Sequence, residues 1–110
     1  MQKTIQIGDK EVAFLATAAT PIRYNQVFDG EDFYGIITNT NLTDSAGTMA
    51  ITRLAYVMAM QAEHADFHEL NNDTFIEWLD GFDAQDINEN LDVISDVYMT
   101  SKKAVASPKK

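Results

Sequence analysis

The chain has 110 residues, 45% of them apolar, a formal charge of −9 and no cysteine. This length fits one domain, and the apolar fraction suffices for a compact core, which excludes wholesale disorder. The lack of cysteine excludes disulfides, thiolate metal sites and a thiol nucleophile, and the negative charge disfavours contact with phosphate backbones.

The first predicted element is a β-hairpin over residues 3–16. Ile5 and Ile7 alternate with polar residues before Gly8-Asp9, and apolar residues alternate again after it. The Gly-Asp pair suits a primed hairpin turn. Because an isolated hairpin is marginal in water, we expect this one to pack on the rest of the fold.

Two short helices are predicted next. Thr20 and Pro21 supply a hydroxyl N-cap followed by a proline at the first helical position. Ile22 is expected on the apolar side of this helix. A second short helix is expected over residues 31–37, and the polar residues at 39–47 predict a loop.

A long central helix is predicted from about residue 48 to about residue 68. Its apolar residues recur at helical spacing and form one continuous stripe. This stripe consists of Ile51, Leu54, Ala55, Met58, Ala59 and Ala62. Tyr56, Val57 and Met60 make the middle of the helix apolar on other sides as well. Such a helix is central to the fold or contacts a partner.

Two further helices complete the predicted elements. A short one is capped by Asp73 or Thr74 and carries Trp78. The final one begins after Asp83 and ends near residue 101. Its predicted apolar stripe consists of Ile87, Leu91, Ile94, Val97 and Tyr98.

The predicted fold is therefore α+β and mainly α. An N-terminal β-hairpin packs on a bundle of about five helices, one of which is the long central helix. We expect a single globular domain over residues 1–103, with the hairpin at 3–16 and the helices at 20–103. Residues 104–110 are expected to form a disordered basic tail.

The histidines are the main candidates for metal binding. His64 and His68 are spaced four residues apart, so on one helix face they could share Zn²⁺. The catalytic zinc pattern needs Glu directly after the first histidine, and this chain has Ala65 there. The alternative is a solvated helix end, where histidine favours the negative end of the helix dipole. We expect no bound metal.

Other catalytic patterns are missing from the sequence. It contains no glycine-rich phosphate loop and no nucleophile elbow. Carboxylates spread along helix faces are typically a solvated surface. We therefore expect no enzymatic activity and no cofactor.

Apolar residues off the main stripe are the candidates for contact with a partner. They are Tyr56, Val57, Met60 and Trp78. For Tyr56 and Met60, core packing and partner contact are equally compatible with the pattern. Trp78 suits a core anchor of a small domain, although tryptophan is also enriched at the centres of protein interfaces.

The distribution of charge and hydropathy limits the possible partners. Between residues 29 and 96 there are fifteen Asp or Glu residues and one basic residue, Arg53. Such an acidic body predicts no nucleic-acid partner. The longest apolar run, at residues 55–60, is too short to span a bilayer, and the N-terminus has no secretory signal pattern. We expect no membrane partner and a cytoplasmic protein.

Four phrases follow one another along most of the chain, at about residues 3–98. They are IQIGDKEVAF, PIRYNQVFDGEDF, ITRLAYVMAMQA and FIEWLDGFDAQDI. Their order and wording resemble the tail assembly chaperones of long-tailed, siphovirus-type phages that infect Gram-positive bacteria. Members of this family begin with a strand-turn-strand segment followed by helices.

This resemblance implies a role in phage assembly. The protein would coat the tape measure protein, a long, hydrophobic and largely helical chain, and keep it soluble while the tail forms. It would be displaced as the tail tube polymerises, so it would act in the host cytoplasm and be absent from the mature virion. Relatives self-associate into rings or spirals, often have a longer frameshifted form, and carry no catalytic motif.

A second reading of the acidic charge is a phage-encoded inhibitor that mimics DNA, as anti-restriction proteins do. Regularly spaced carboxylates can imitate phosphates. Against this reading, the central helix and the segment around Trp78 are typical of packing elements, and −9 is a modest charge for a mimic.

Overall fold

A computed structural model describes residues 2–28 and 45–106 of the chain. In this part a two-stranded antiparallel hairpin precedes five α-helices and one turn of 3₁₀ helix, which confirms the predicted α+β, mainly α, fold. The elements are β1 (Gln2–Ile7), β2 (Lys10–Leu15), α1 (Thr20–Val27), α2 (Ser45–Ala62), a 3₁₀ helix (Phe67–Glu69), α3 (Asn72–Leu79), α4 (Ala84–Glu89) and α5 (Leu91–Ala106). The short helix predicted at 31–37 lies outside the described residues, as does most of the loop predicted at 39–47.

The hairpin turn follows the sequence prediction. Ile7 pairs with Lys10 across a two-residue loop, Gly8-Asp9. Gly8 has a φ of +63°, while Asp9 keeps a negative φ, which is the pattern of a type II′ turn. This turn matches the right-handed twist of the strands. The buried face of the hairpin consists of Ile5, Ile7 and Phe14.

Helix α2 is the centre of the fold. It packs against β2, α1 and α5, so it has neighbours on several sides. Its predicted stripe is buried, apart from the half-buried Ala62. Tyr56, Val57 and Met60, which lie off the stripe, are buried too, because the surrounding elements cover the rest of the middle of the helix. None of the described helices is long and apolar enough to cross a membrane.

The end of α2 differs from the prediction. The helix ends at Ala62, and not near residue 68. His64 takes the left-handed conformation with φ of +58°. The Ala65 N–H donates to the Met60 carbonyl at 3.0 Å, and the His64 N–H donates to the Gln61 carbonyl at 3.1 Å. This is a Schellman-type end, which usually has glycine in place of His64, so the sequence carried no sign of it.

The start of α1 also differs from the prediction. The N-cap is Ala19, and Thr20 is already helical. The Thr20 hydroxyl oxygen accepts from the Thr17 N–H at 2.9 Å, one turn before the helix. Ile22, expected on the apolar side, is 69% exposed, and Tyr24 is buried in its stead.

Helix α3 begins at a capping box whose N-cap, Asn71, lies before the predicted caps Asp73 and Thr74. The Asn71 side chain accepts hydrogen bonds from the N–H groups of Asp73 and Thr74. The Thr74 hydroxyl oxygen accepts in return from the Asn71 N–H at 2.9 Å. Donors that a helix start leaves unsatisfied are thereby paired.

The predicted final helix is two helices that meet at Asn90. The Asn90 side chain donates to the Asp86 carbonyl at 2.7 Å and ends α4, while its own carbonyl accepts from the Ile94 N–H at 2.9 Å and starts α5. The predicted stripe of this segment is buried. Helix α5 runs to Ala106, into the predicted tail, and residues 107–110 lie outside the described residues.

Candidate functional site

Three of the four predicted partner residues belong to the core. Tyr56 is 1% exposed, Val57 is 0% exposed and Met60 is 8% exposed. The prediction named them as candidates for partner contact because they lie off the main stripe, and it left core packing equally open for Tyr56 and Met60. The structure corrects this placement, since elements on several sides of α2 cover them. Their side chains offer no surface to a partner in this conformation.

Trp78 is the exception, because it is only half-buried. It lies between Tyr56 and Phe82 in an aromatic row in which neighbouring ring centroids are 4.9–6.5 Å apart. The row consists of Tyr24, Phe28, Tyr56, Phe75, Trp78 and Phe82. Tilted and edge-on ring pairs at these distances stabilise the fold beyond the contribution from burial of their surface area. Packing against this row holds the indole in place, and part of the indole surface remains exposed to solvent.

An open groove of about 540 Å³ lies beside Trp78. We call it the edge groove. It is lined by Lys10, Glu11, Val12, Ala13, Ala62, Glu63, Trp78 and Phe82. One wall is therefore strand β2, and the other is formed by the end of α2 together with α3 and the residues after it. The groove combines half-buried apolar side chains with two acidic ones, Glu11 and Glu63.

Lys10 joins the two walls at one end of the groove. Its ammonium donates to the Gly81 carbonyl and lies 5.0 Å from the centroid of the Phe82 ring. Such a cation–π contact contributes about 0.5–1 kcal/mol at an exposed site. A smaller cavity of about 380 Å³ lies beyond this contact, and its lining includes Asp9, Asp83 and Asp86. Lys10 and Phe82 line both cavities.

The Tyr56 hydroxyl connects two helices that lie next to the groove. It donates to the Thr74 hydroxyl oxygen at 2.8 Å, which connects α2 to the capping box of α3. Burial raises the pKa of Tyr56 above its ordinary value, and the negative charges of Glu63 and Glu77 raise it further. The hydrogen bond with Thr74 acts in the opposite direction on this pKa. The Tyr56 ring also packs against Trp78, with ring centroids 5.5 Å apart.

The predicted histidine pair is not on one helix face. His64 lies in the left-handed residue after α2, and His68 lies in the 3₁₀ helix. The spacing of four residues therefore does not bring the imidazoles together as an α-helix would. Among the described residues, no group of three or more His, Asp or Glu side chains could hold a metal ion.

Sequence reasoning missed most of the groove. Lys10 and Gly81 are 71 positions apart, and no periodicity connects residues at that distance. Phe82 could have been predicted from the sequence. The helix that carries Trp78 is expected to end near Gly81, and an aromatic residue directly after such an end can fold back on the helix. The Phe82 ring lies 4.9 Å from that of Trp78.

Comparison with known proteins adds no relative: no protein-family model, no curated protein and no solved structure matches the chain.

Proposed function

We propose that this protein is a tail assembly chaperone of a long-tailed phage, which binds apolar segments of the tape measure protein and keeps that chain soluble in the host cytoplasm. The resemblance of its four sequence phrases supports the choice of partner. The edge groove is the observation that carries the proposal, because it places an anchored, half-buried Trp78 at an opening in an acidic surface. Aromatic anchors of this kind dominate the energy of protein interfaces.

The charge distribution supports the same role. Every Asp and Glu side chain in the described part of the chain is exposed, except the half-buried Asp86. A mainly acidic exterior keeps crowded copies soluble. Moderate affinity per copy is sufficient, because many copies along one tape measure chain act together through avidity. Self-association into a ring or spiral, with absence from the finished virion, is part of this proposal.

The test is co-expression with fragments of the tape measure protein from the same phage. Wild-type protein is expected to co-purify with at least one fragment and to increase its soluble fraction. Trp78→Ala is expected to weaken that binding by about thirtyfold or more, the effect of losing an interface hot spot. The proposal falls if wild-type protein neither co-purifies with nor solubilises any fragment.

Ile76→Ala is the matched control for Trp78→Ala. Ile76 lies on the same helix, is 47% exposed and does not line the groove. Its truncation is expected to leave fragment binding unchanged. Circular dichroism and thermal unfolding of both variants separate a loss of binding from a loss of fold.

The exposed carboxylates also favour one rival, an acidic inhibitor that mimics DNA. That function predicts salt-sensitive competition with DNA for a nuclease, because the interaction would be electrostatic. It also predicts that Trp78→Ala leaves inhibition intact. The two functions are therefore distinguished by one pair of proteins, wild type and Trp78→Ala.

A further inference from the structure

Strand β2 has an edge with which no other described strand pairs. Within residues 2–28 and 45–106 the sheet has two strands, so β1 pairs with one side of β2. Because Ile7 and Lys10 close a two-residue turn, the even-numbered residues of β2 direct their N–H and C=O groups toward β1. The odd-numbered residues direct theirs away from the hairpin. This outward set consists of Glu11, Ala13 and Leu15.

Side chains close both ends of this edge. At one end the Leu15 carbonyl accepts from Gln61 Nε2 at 2.8 Å, and Gln61 is 1% exposed. At the other end Lys10 is held against Gly81. Between these ends, the outward N–H and C=O groups of Glu11 and Ala13 have no hydrogen-bond partner among the described residues.

The edge groove runs along this open edge. Four consecutive strand residues, 10 to 13, line it. Consecutive side chains of a strand point to opposite faces of the sheet, so side chains alone would give a cavity on one face only alternate residues. Contact with four consecutive residues fits a cavity beside the strand, where a further strand would lie.

We propose that the edge groove binds an extended segment of another protein, which adds to β2 as a third strand. The backbone of the segment would pair with the outward groups of Glu11 and Ala13, as in other cases of strand addition. Side chains on one face of the added strand would pack on Trp78 and Phe82. The strand would be short, because Gln61 and Lys10 close the two ends of the edge.

Charge decides the chemistry of the occupant. Among the described residues that line the groove, Glu11 and Glu63 are acidic and one residue, Lys10, is cationic and already engaged. The segment therefore alternates apolar residues with Lys or Arg. A second copy of this chain in this groove is the alternative occupant that the test distinguishes. The proposal rests on the proposed function in taking the partner to be a tape measure segment, whereas the strand geometry holds for any segment of this chemistry.

The test uses short synthetic peptides and the full chain. The probe is acetyl-Lys-Val-Lys-Val-Lys-Val-amide, with a Glu-Val peptide of the same length as the charge control. Trp78 is the only tryptophan, so its fluorescence reports directly on the groove. The basic peptide is expected to give a saturable fluorescence change and to protect the Glu11 and Ala13 amides from hydrogen exchange. The acidic peptide is expected to give neither.

Backbone pairing is tested separately on each side of the contact. A basic peptide with N-methyl groups on alternate residues loses the donors of one edge, and we expect it to bind at least about tenfold more weakly. On the protein, Ala13→Pro removes one outward donor and leaves the β1–β2 ladder intact. Its matched control is Thr4→Pro, at the outward position directly across the hairpin, which faces the opposite edge.

The proposal is overturned if the basic peptide does not bind, or if it binds with unchanged exchange at Glu11 and Ala13. Equal binding of the N-methylated peptide also overturns it. So does self-association of the protein that protects the same amides, since the occupant is then a second copy. Tape measure binding without strand addition defeats this inference alone, whereas strand addition without tape measure binding defeats the proposed function alone.

Discussion

The Tyr56 hydroxyl is a single group that connects the core to the groove. Its ring is buried, and its O–H donates to Thr74 at 2.8 Å. Tyr56→Phe keeps the ring and removes this bond. Below pH 9 we expect the variant to be about 0.5–1.5 kcal/mol less stable, the usual net value of one hydrogen bond. The measurement is urea unfolding.

The same residue predicts a pH dependence. Burial raises the pKa of folded Tyr56 above its ordinary value of about 10. A raised pKa in the folded state means that the folded protein holds this proton more tightly than the unfolded chain does. The stability that Tyr56 contributes is therefore complete below about pH 10 and is lost as the pH rises through the raised value. The unfolding free energy of wild type should fall more steeply above pH 10 than that of Tyr56→Phe, and parallel curves would contradict the assignment.

His64 is a strained residue at the end of α2. A residue with a Cβ in the left-handed region is disfavoured relative to glycine, and His64 has φ of +58° there. His64→Gly is expected to raise the free energy of unfolding by about 0.5–1 kcal/mol. The measurement is a urea or thermal unfolding curve compared with that of the wild type.

His64→Ala is the control for this prediction. It removes the imidazole but keeps the Cβ, so it should not stabilise the protein. If His64→Ala stabilises as much as His64→Gly, the gain comes from the loss of the imidazole and not from the backbone conformation.

At the scale of elements, the hairpin turn depends on Gly8 for two reasons. Gly8 has φ of +63°, and the Asp86 carboxylate lies where a Cβ would project. Gly8→Ala is therefore expected to destabilise the protein by about 1–2 kcal/mol. Thermal unfolding of the single variants and of the double variant with Asp86→Ala measures both contributions.

The double variant separates the steric cost from the backbone cost. With Asp86 truncated, the added methyl group meets no carboxylate, and only the backbone cost of about 1 kcal/mol should remain. Additive effects of the two substitutions would show that Asp86 does not restrict the turn.

The positions of the elements were predictable from the sequence, but their ends were not. The stripe of α2 and that of the final helices have strong periodicity, because a face turned toward the core must be apolar. The ends depend on hydrogen bonds of single polar residues. Asn71 starts α3, Asn90 separates α4 from α5, and His64 ends α2 in a conformation that usually requires glycine. Periodicity carries no information about such residues.

At the scale of the whole molecule, sequence periodicity could not predict the groove either. Trp78 was predicted as a partner residue, and its half-buried position keeps that prediction open. Tyr56, Val57 and Met60 were misplaced because a helix surrounded on several sides and a helix with a partner face have the same pattern. Only the fold shows that the start of β2 approaches the residues after α3, which brings Lys10 to Phe82.

The net charge of −9 gives a prediction for the whole molecule. Exposed like charges repel one another and weaken the compact state. Raising NaCl from about 10 mM to about 150 mM shortens the screening length from about 30 Å to about 8 Å. We expect the resulting gain to be on the order of 1 kcal/mol, which raises the thermal midpoint by roughly 4–8 °C in a domain of this size.

A charge-reduced variant shows whether repulsion is the cause of this gain. Glu69→Gln, Glu77→Gln and Asp96→Asn together remove three exposed negative charges from three different elements. The triple variant should have a higher thermal midpoint at low salt and a smaller response to NaCl, because less repulsion is left to screen. If its response to NaCl equals that of the wild type, the acidic surface is not under repulsive strain. Its carboxylates would then be held by local partners, and a solubilising coat would no longer explain their number.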